Sequence, residues 1–210
     1  RKKHIVQPYL LPKEKPEHKI HLRFTIESEM ECEKVHLALE DAEACSVWFN
    51  GEKVEMRVDG WYVDRCIETI PLPPIHCGKN ILLVEVPLSE RSNLEWMYLL
   101  GDFGVKVNGR CKAIIPPVRK LAFASYIHQG LPFYTGNVYY DFDVESPDGT
   151  LDLQVPRYKG ALMDVYVDNE LKDSIFCSPY RIHMDHLSVG IHRISIKLYG
   201  TRQNGFGQVH

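Results

Sequence analysis

Trp61 and Tyr62 are the side chains whose types and setting best suit the binding of a polar ligand. They follow the turn Asp59-Gly60 and precede Asp64. A sugar presents apolar C–H faces to aromatic rings, while its hydroxyls need directed hydrogen bonds from planar polar groups. Trp61, Tyr62 and Asp64 therefore form a candidate carbohydrate-binding site. The structural alternative is that these aromatic residues close the end of a core, as they commonly do at loop–strand borders.

A second candidate carbohydrate-binding group lies in the turn at residues 156–160. It contains Arg157, Tyr158 and Lys159, an aromatic ring between two cationic side chains. The same chemistry applies to it, and so does the structural alternative.

Paired carboxylates, which a glycosidase needs about 5–10 Å apart beside a cleft, are the next chemistry to consider. The 28 acidic residues make chance pairs such as Glu40/Asp41 unavoidable. Asp141 and Asp143 alternate with apolar residues, which is typical of the solvent side of a half-buried strand. We therefore predict no catalytic residues in this chain, and no enzyme activity of its own.

Metal and cofactor sites find little support in the sequence. His183 and His186 are three residues apart, a spacing that sends them to opposite faces of a strand. Residues 145–149 could form a calcium loop, but their Pro-Asp-Gly sequence is equally that of an ordinary turn, which we favour. We expect no cofactor and no metal. Gly-rich phosphate loops and the Ser nucleophile motif G-x-S-x-G are both missing from the sequence.

The overall composition narrows the range of partners. The net charge is −3, with 44% hydrophobic and 25% charged residues. This is the profile of an ordinary globular protein, and it gives no electrostatic reason to expect nucleic acid or an anionic membrane as partner. No apolar run approaches the roughly 20 residues of a membrane-spanning helix. Both chain ends resemble cuts within a longer polypeptide.

The cysteines bear on the compartment. None forms a C-x-x-C pair, so zinc-site and thioredoxin-like hypotheses are unsupported. Several stand in apolar strand contexts, as Cys45 does before Val47. This favours buried free thiols in a reducing compartment, with a bridge between neighbouring strands as the alternative. Together with the lack of an N-x-S/T sequon, it favours a cytoplasmic location; secretion stays open.

Apolar and polar residues alternate with a period near two, between turn signals every 8–12 residues or so. This pattern predicts an all-β sandwich. Clear examples are residues 21–26, 34–39 and 151–155, and we also interpret residues 93–100 as a strand. By the same alternation we expect three aromatic side chains to lie in the core: Trp48, Tyr166 and Tyr199.

An internal repeat organises these strands. Residues 45–54, with the turn Asn50-Gly51, correspond to residues 163–171, with the turn Asp168-Asn169. Both turns suit the positive φ angles of a tight hairpin. A Gly-containing turn and a strongly alternating strand follow in each copy. Residues 101–105 are then echoed by residues 205–209.

The repeat predicts two tandem β-sandwich modules. We place an extended leader at 1–19, module 1 at 20–107, a proline-containing connection at 108–135 and module 2 at 136–210. The prolines of the connection favour an extended path over the surface of one or both modules.

The hairpin, the "G-x-N" turn and the alternating strand of each copy resemble the galactose-binding-like jelly roll that accompanies many glycoside hydrolases. Residues 129–140 look like the opening of the sugar-binding domain of glycoside hydrolase family 2, and residues 198–210 are similar to the end of accessory modules in bacterial rhamnosidase-like proteins. In the first copy, residues 59–64 and 99–105 look like the same set.

This resemblance implies a fold and a context. The fold is two tandem galactose-binding-like jelly-roll β-sandwiches. The context is a non-catalytic accessory region of a larger bacterial glycoside hydrolase-like protein, which positions the catalytic domain of the same polypeptide or shapes its cleft. One alternative is a true carbohydrate-binding module that grips a glycan on its end loops. Another is an adhesion or interaction module without sugar binding. An oligomer is compatible with each.

Overall fold

The structure, a computed structural model, describes residues 15–90, 92 and 94–206. Strands make up 51% and helices 6% of it, which confirms the all-β prediction. The chain divides into two compact units, with the boundary between Pro117 and Val118. No helix among the described residues is long and apolar enough to cross a membrane.

Unit 1 is a sandwich of a six-stranded and a four-stranded sheet. Its strands are β1 (His18–Ser28), β2 (Val35–Glu40), β3 (Ser46–Phe49), β4 (Glu52–Lys53), β5 (Gly60–Tyr62), β6 (Asp64–Leu72), β7 (Gly78–Leu88), β8 (Tyr98–Gly101), β9 (Gly104–Asn108) and β10 (Cys111–Ile115). The larger sheet has the order β4-β3-β7-β1-β10-β9 and the smaller one β5-β6-β2-β8. A short 3-10 helix, Ala42–Ala44, lies between β2 and β3.

The core of unit 1 fills the space between its two sheets. Alternate residues of β2, Val35, Leu37 and Leu39, are buried together with Val47 and Phe49 of β3. Because successive side chains of a strand point to opposite faces, each strand commits one set of alternate residues to this core. The other set is left on the outer faces of the sheets.

Unit 2 contains a four-stranded and a two-stranded sheet. Its strands are β11 (Val138–Ser146), β12 (Leu151–Gln154), β13 (Leu162–Val167), β14 (Glu170–Ile175), β15 (Arg181–Met184) and β16 (Gly190–Tyr199). Two 3-10 helices, Tyr126–Gln129 and Arg202–Phe206, accompany them. The larger sheet has the order β11-β16-β13-β14 and the smaller one pairs β12 with β15. Its core includes Val165, Val167, Ile194 and Ile196.

The larger sheets of the two units share a strand order. In unit 1, β4, β3, β7 and β1 are neighbours in that sequence, and in unit 2 the same positions are taken by β14, β13, β16 and β11. Both hairpin turns have the predicted positive φ, with values of 50° at Asn50 and 50° at Asp168. That part of the sequence prediction is confirmed.

The strand predicted at residues 93–100 is mostly wrong. Among its described residues, 94–100, the strand begins only at Tyr98, because β8 pairs with β2 from Ala38 back to Val35; Asn93 lies outside the described residues. Residues 94–97 belong to no strand in the described part of the chain. Alternation alone could not show where the partner strand stops.

The prediction that Trp48, Tyr166 and Tyr199 lie in the core is also wrong. All three are half-buried, while their strand neighbours Val47 and Val165 are fully buried. Alternate side chains of a strand lie on opposite faces of the sheet, and in these strands the aliphatic side chains lie on the face toward the core. The aromatic residues therefore face outward on the larger sheets.

The cysteine prediction holds for two residues of six. Cys32 and Cys45 are buried free thiols, whereas the other four are exposed free thiols: Cys66, Cys77, Cys111 and Cys177. Cys66 and Cys111 stand on exposed strand positions, and Cys77 and Cys177 lie in bends between strands.

The structure differs from the predicted module boundaries at several points. β1 begins at His18, inside the predicted leader, whose residues 1–14 lie outside the described residues. β10 lies inside the predicted connection and forms a hairpin with β9 through a two-residue turn. Of the predicted closing strand of module 2, Gly205 and Phe206 belong to a 3-10 helix, and residues 207–210 lie outside the described residues.

Candidate functional site

Tyr62 and Tyr98 meet above the outer face of the four-stranded sheet of unit 1. They stand on β5 and β8, the two edge strands of that sheet, and their ring centroids are 5.2 Å apart at an interplanar angle of 53°. Ala38, the partner of Tyr98 on β2, is fully buried. We attribute the contact to this small side chain, which leaves room for two rings above the middle strands.

Two carboxylates lie near the Tyr98 side of this pair. Burial raises the pKa of Tyr98, and the nearby Tyr62, Glu95 and Glu40 raise it further. Glu40 lies two residues beyond Ala38 on β2, so its side chain points to the same outer face. Its Oε1 accepts a hydrogen bond from the Cys66 thiol at 3.7 Å. The rings therefore sit in a locally negative environment.

An imidazole–carboxylate pair occupies the other end of the same face. Asp59 Oδ2 lies 3.0 Å from His36 Nε2, and Asp59 Oδ1 accepts a hydrogen bond from Thr69 Oγ1 at 2.8 Å. His36 shares the outer phase of β2 with Ala38. The hydrogen bond from Thr69, followed by the interaction with His36, lowers the pKa of Asp59.

The order of these groups limits their chemistry. In a nucleophilic triad the hydroxyl must be hydrogen-bonded to the imidazole that deprotonates it. Here the carboxylate of Asp59 stands between Thr69 and His36, so the hydroxyl is hydrogen-bonded to the carboxylate and not to the imidazole. A carboxyl with a lowered pKa is also a poor general acid, which needs a raised one. This arrangement can accept hydrogen bonds from a ligand and donate hydrogen bonds to it.

We call the surface formed by Tyr62, Tyr98, Glu40, His36 and Asp59 the tyrosine face.

The first sequence-predicted group is divided by the structure. Tyr62 lies on the tyrosine face, and Asp64, its partner across the β5–β6 hairpin, accepts a hydrogen bond from the Cys66 amide at 3.1 Å. Trp61, 58% exposed, pairs with Glu68 in the opposite phase of β5. Neighbouring residues of a strand face opposite ways, so Trp61 and Tyr62 do not form one platform.

The second predicted group is in unit 2 and is likewise divided. Tyr158 is half-buried against the core, with its ring 4.9 Å from that of Tyr180 and its hydroxyl donating to the Ile175 carbonyl at 3.2 Å. Arg157 and Lys159 are exposed on either side of it. The ring of Tyr158 is therefore engaged in packing, and the two cations alone face solvent.

The histidines and the proposed turn are accounted for by local contacts. His183 lies on β15, with Nδ1 3.0 Å from Asp152 Oδ1, and His186 lies beyond the strand end. In residues 145–149, Asp148 Oδ1 accepts hydrogen bonds from the amide and hydroxyl of Thr150, at 3.0 and 2.8 Å. This is an Asx-type turn. Within the described residues no group of three or more His, Cys, Asp or Glu could hold a metal ion.

Sequence reasoning missed Tyr98, Glu40, His36 and Asp59 as members of a site. Asp59 stands three residues before Tyr62, but nothing in its sequence context links it to His36. The usable signal is alternation on β2, which places His36, Ala38 and Glu40 on one face. That signal becomes informative only once the register with β6 and β8 is known.

Comparison with known proteins gives distant fold-level similarities. No protein-family model matches the chain, and no curated protein matches it. Among solved structures, a rhamnosidase from Novosphingobium sp. PP1Y is 15% identical over 88% of this chain and 19% of that chain, with a TM-score of 0.31. The α-L-rhamnosidase of Streptomyces avermitilis, complexed with L-rhamnose, is 12% identical over 92% of this chain and 24% of that chain, with a TM-score of 0.34.

A lectin from Pleurotus ostreatus is 10% identical over 87% of this chain and 68% of that chain, with a TM-score of 0.26. This chain thus spans about a fifth to a quarter of the length of the two rhamnosidases.

Proposed function

We propose that this chain is a non-catalytic carbohydrate-binding region, accessory to a larger glycoside hydrolase-like protein, and that it binds glycan on the tyrosine face. The observation that carries the proposal is the contact between Tyr62 and Tyr98 above the outer face of a sheet, with polar groups at both ends. An apolar ring surface bordered by hydrogen-bonding side chains is what a pyranose ring requires.

The charge of the tyrosine face favours neutral sugars. Glu95 and Glu40 raise the pKa of Tyr98, and Asp64 and Glu40 raise that of Cys66. A uronic acid would bring a further negative charge to these carboxylates, at an energetic cost. Neutral hydroxyls can instead donate hydrogen bonds to them. We therefore expect neutral polysaccharides to bind and acidic polysaccharides to bind more weakly.

Affinity electrophoresis on gels containing neutral and uronic-acid polysaccharides tests the proposal. Tyr98→Ala should abolish retardation on the neutral gel, because it removes one of the two rings. Tyr139→Ala is the matched control, since Tyr139 is a 56% exposed tyrosine on a strand of unit 2. Its mobility should equal that of the wild-type chain.

Two outcomes would contradict the proposal. If Trp61→Ala abolishes binding and Tyr98→Ala does not, the site belongs to the other side of β5. If the wild-type chain is retarded on no polysaccharide, the chain acts as a positioning or interaction module without sugar binding. Thermal melting curves of each variant separate loss of binding from loss of fold.

A further inference from the structure

A polar residue near the start of the long central strand is buried at the same place in each unit. Asn80 of β7 is fully buried and His192 of β16 is 4% exposed. Each stands two residues after a glycine of positive φ, Gly78 at 94° and Gly190 at 138°. Buried polar side chains of this kind need hydrogen-bond partners, and both residues find them in the hairpin turn of the neighbouring strand.

In unit 1 the connection is made by two neutral amides. Asn50 Nδ2 donates to Asn80 Oδ1 at 3.0 Å, and Asn80 Nδ2 donates to the His76 carbonyl at 2.8 Å. Asn50 Oδ1 in turn accepts the Ile81 amide at 2.8 Å. The β3–β4 turn is thereby fastened to β7. We call Asn50 and Asn80 the amide clip.

In unit 2 a carboxylate and an imidazole take the same positions. Asp168 Oδ2 lies 2.6 Å from His192 Nδ1, and His192 Nε2 lies 2.7 Å from the Ser188 carbonyl. Asp168 Oδ1 accepts the Arg193 amide at 2.9 Å, as Asn50 does from Ile81. The β13–β14 turn is thereby fastened to β16. We call Asp168 and His192 the ionic clip.

The partners of the imidazole determine its protonation. Both ring nitrogens of His192 face oxygen atoms that can only accept, a carboxylate and a carbonyl. A neutral imidazole has one N–H and can satisfy one of them, whereas the imidazolium satisfies both. Two neutral amides, by contrast, keep their donors and acceptors at every pH between the extremes.

We propose that the ionic clip is a protonation-dependent fastening, whose hold on the β13–β14 turn weakens when His192 loses its proton, while the amide clip holds the corresponding turn of unit 1 throughout. This inference is independent of any glycan. It makes the two units, alike in strand order, different in their response to mild alkali.

The charged groups around His192 support this direction. Hydrogen bonds to Ser188 and Asp168 raise its pKa, and Lys172 of β14 opposes them as a smaller contribution. The neighbouring charges are paired elsewhere: Arg193 with Asp143 at 3.0 Å, and, in the segment before Ser188, His186 with Asp185 at 3.7 Å. On β11 the strand partner of His192 is Val144, which carries no charge.

The pH range of the fastening follows from both partners. Because the pKa of His192 is raised on folding, its contribution is full below about pH 6.5 and is lost as the pH rises through the folded pKa. The pKa of Asp168 is lowered, mainly by His192, so its contribution is present above about pH 4 and is lost as the pH falls through the folded value. The clip should be strongest in between.

Amide hydrogen exchange measured by NMR from pH 6 to pH 9 on the whole chain tests the proposal. After correction for intrinsic rates, protection of the Arg193 amide should fall by up to about tenfold per pH unit once His192 titrates, because one proton is linked to the opening. The Ile81 amide, bonded to Asn50 in the same way, is the control within the same molecule and should keep its protection.

Variants sharpen the comparison. The double substitution Asp168→Asn and His192→Asn introduces the amide pair found in unit 1. In this variant the protection of the Arg193 amide should depend on pH as little as that of the Ile81 amide does. His183→Asn removes an exposed histidine from a similar pair with Asp152 and should leave the profile unchanged. Equal pH profiles for Arg193 and Ile81 in the wild-type chain would overturn the proposal without any variant. So would a doubly substituted chain that keeps the pH dependence.

Discussion

The thiol of Cys66 is exposed but surrounded by acceptors. Hydrogen bonding to Asp64, followed by burial and the charges of Asp64 and Glu40, raises its pKa from 9.0 to about 11. The thiolate is the reactive form of cysteine. An exposed position on β6 is therefore combined with low reactivity, and this makes Cys66 a reporter of the negative charge beside the tyrosine face.

We expect iodoacetamide at pH 8 to modify Cys66 slowly, and Asp64→Asn to accelerate the reaction by about tenfold or more, since each pKa unit changes the thiolate fraction about tenfold. Mass spectrometry of peptides would give the rate. Cys177, an exposed thiol of unit 2, serves as the control whose rate should not change. An unaltered rate for Cys66 in Asp64→Asn would contradict the charge assignment.

The turn of the β5–β6 hairpin, next to the tyrosine face, contains a strained backbone position. Val63, between Tyr62 and Asp64, has a φ of 64°, a conformation that β-branched residues rarely adopt. Left-handed backbone costs an ordinary residue roughly 1–2 kcal/mol. Strain of this kind is retained where the surrounding structure demands it, often beside a site.

Relieving that strain gives a prediction at the scale of the hairpin. Val63→Asn should raise the free energy of unfolding of unit 1 by about 1 kcal/mol, because asparagine tolerates left-handed backbone. Chemical denaturation would measure it. Val58→Asn, at an exposed position before the same hairpin, is the control and should not stabilise unit 1. A destabilised Val63→Asn would show that the Val63 side chain contributes more by packing than its backbone costs.

At the same scale, the strands and turns were largely predictable and the site was not. Alternation predicted β1, β2 and β12, because a buried face imposes a period of two on the side chains. The residue types at Asn50 and Asp168 predicted their positive φ angles. The phase of Trp48 was missed because either face of its strand could have been the inner one. The contact between Tyr62 and Tyr98 depends on the order of four strands, which local sequence does not encode.

The two units have separate cores, and this predicts separate responses to a core mutation. Phe49→Ala removes a fully buried ring from unit 1 and should cost about 3–5 kcal/mol there. Calorimetry should show one transition shifted to lower temperature and a second, belonging to unit 2, unchanged. Met163→Ala, in the core of unit 2, should give the converse. A single transition that moves with either substitution would show that the units unfold as one.

The parallel pairing of β1 with β10 has a consequence for how unit 1 comes together. Glu27 pairs with Ala113 and Ser28 with Ile114. The first strand of the larger sheet, β1, therefore gains this neighbour only when the last strand, β10, is present. Such distant contacts close large loops and slow folding. During synthesis, unit 1 can complete its sheet only after β10 has left the ribosome. A fragment ended at residue 107 would therefore lack the strand that finishes it, with β1 left as an open edge prone to pair with other chains.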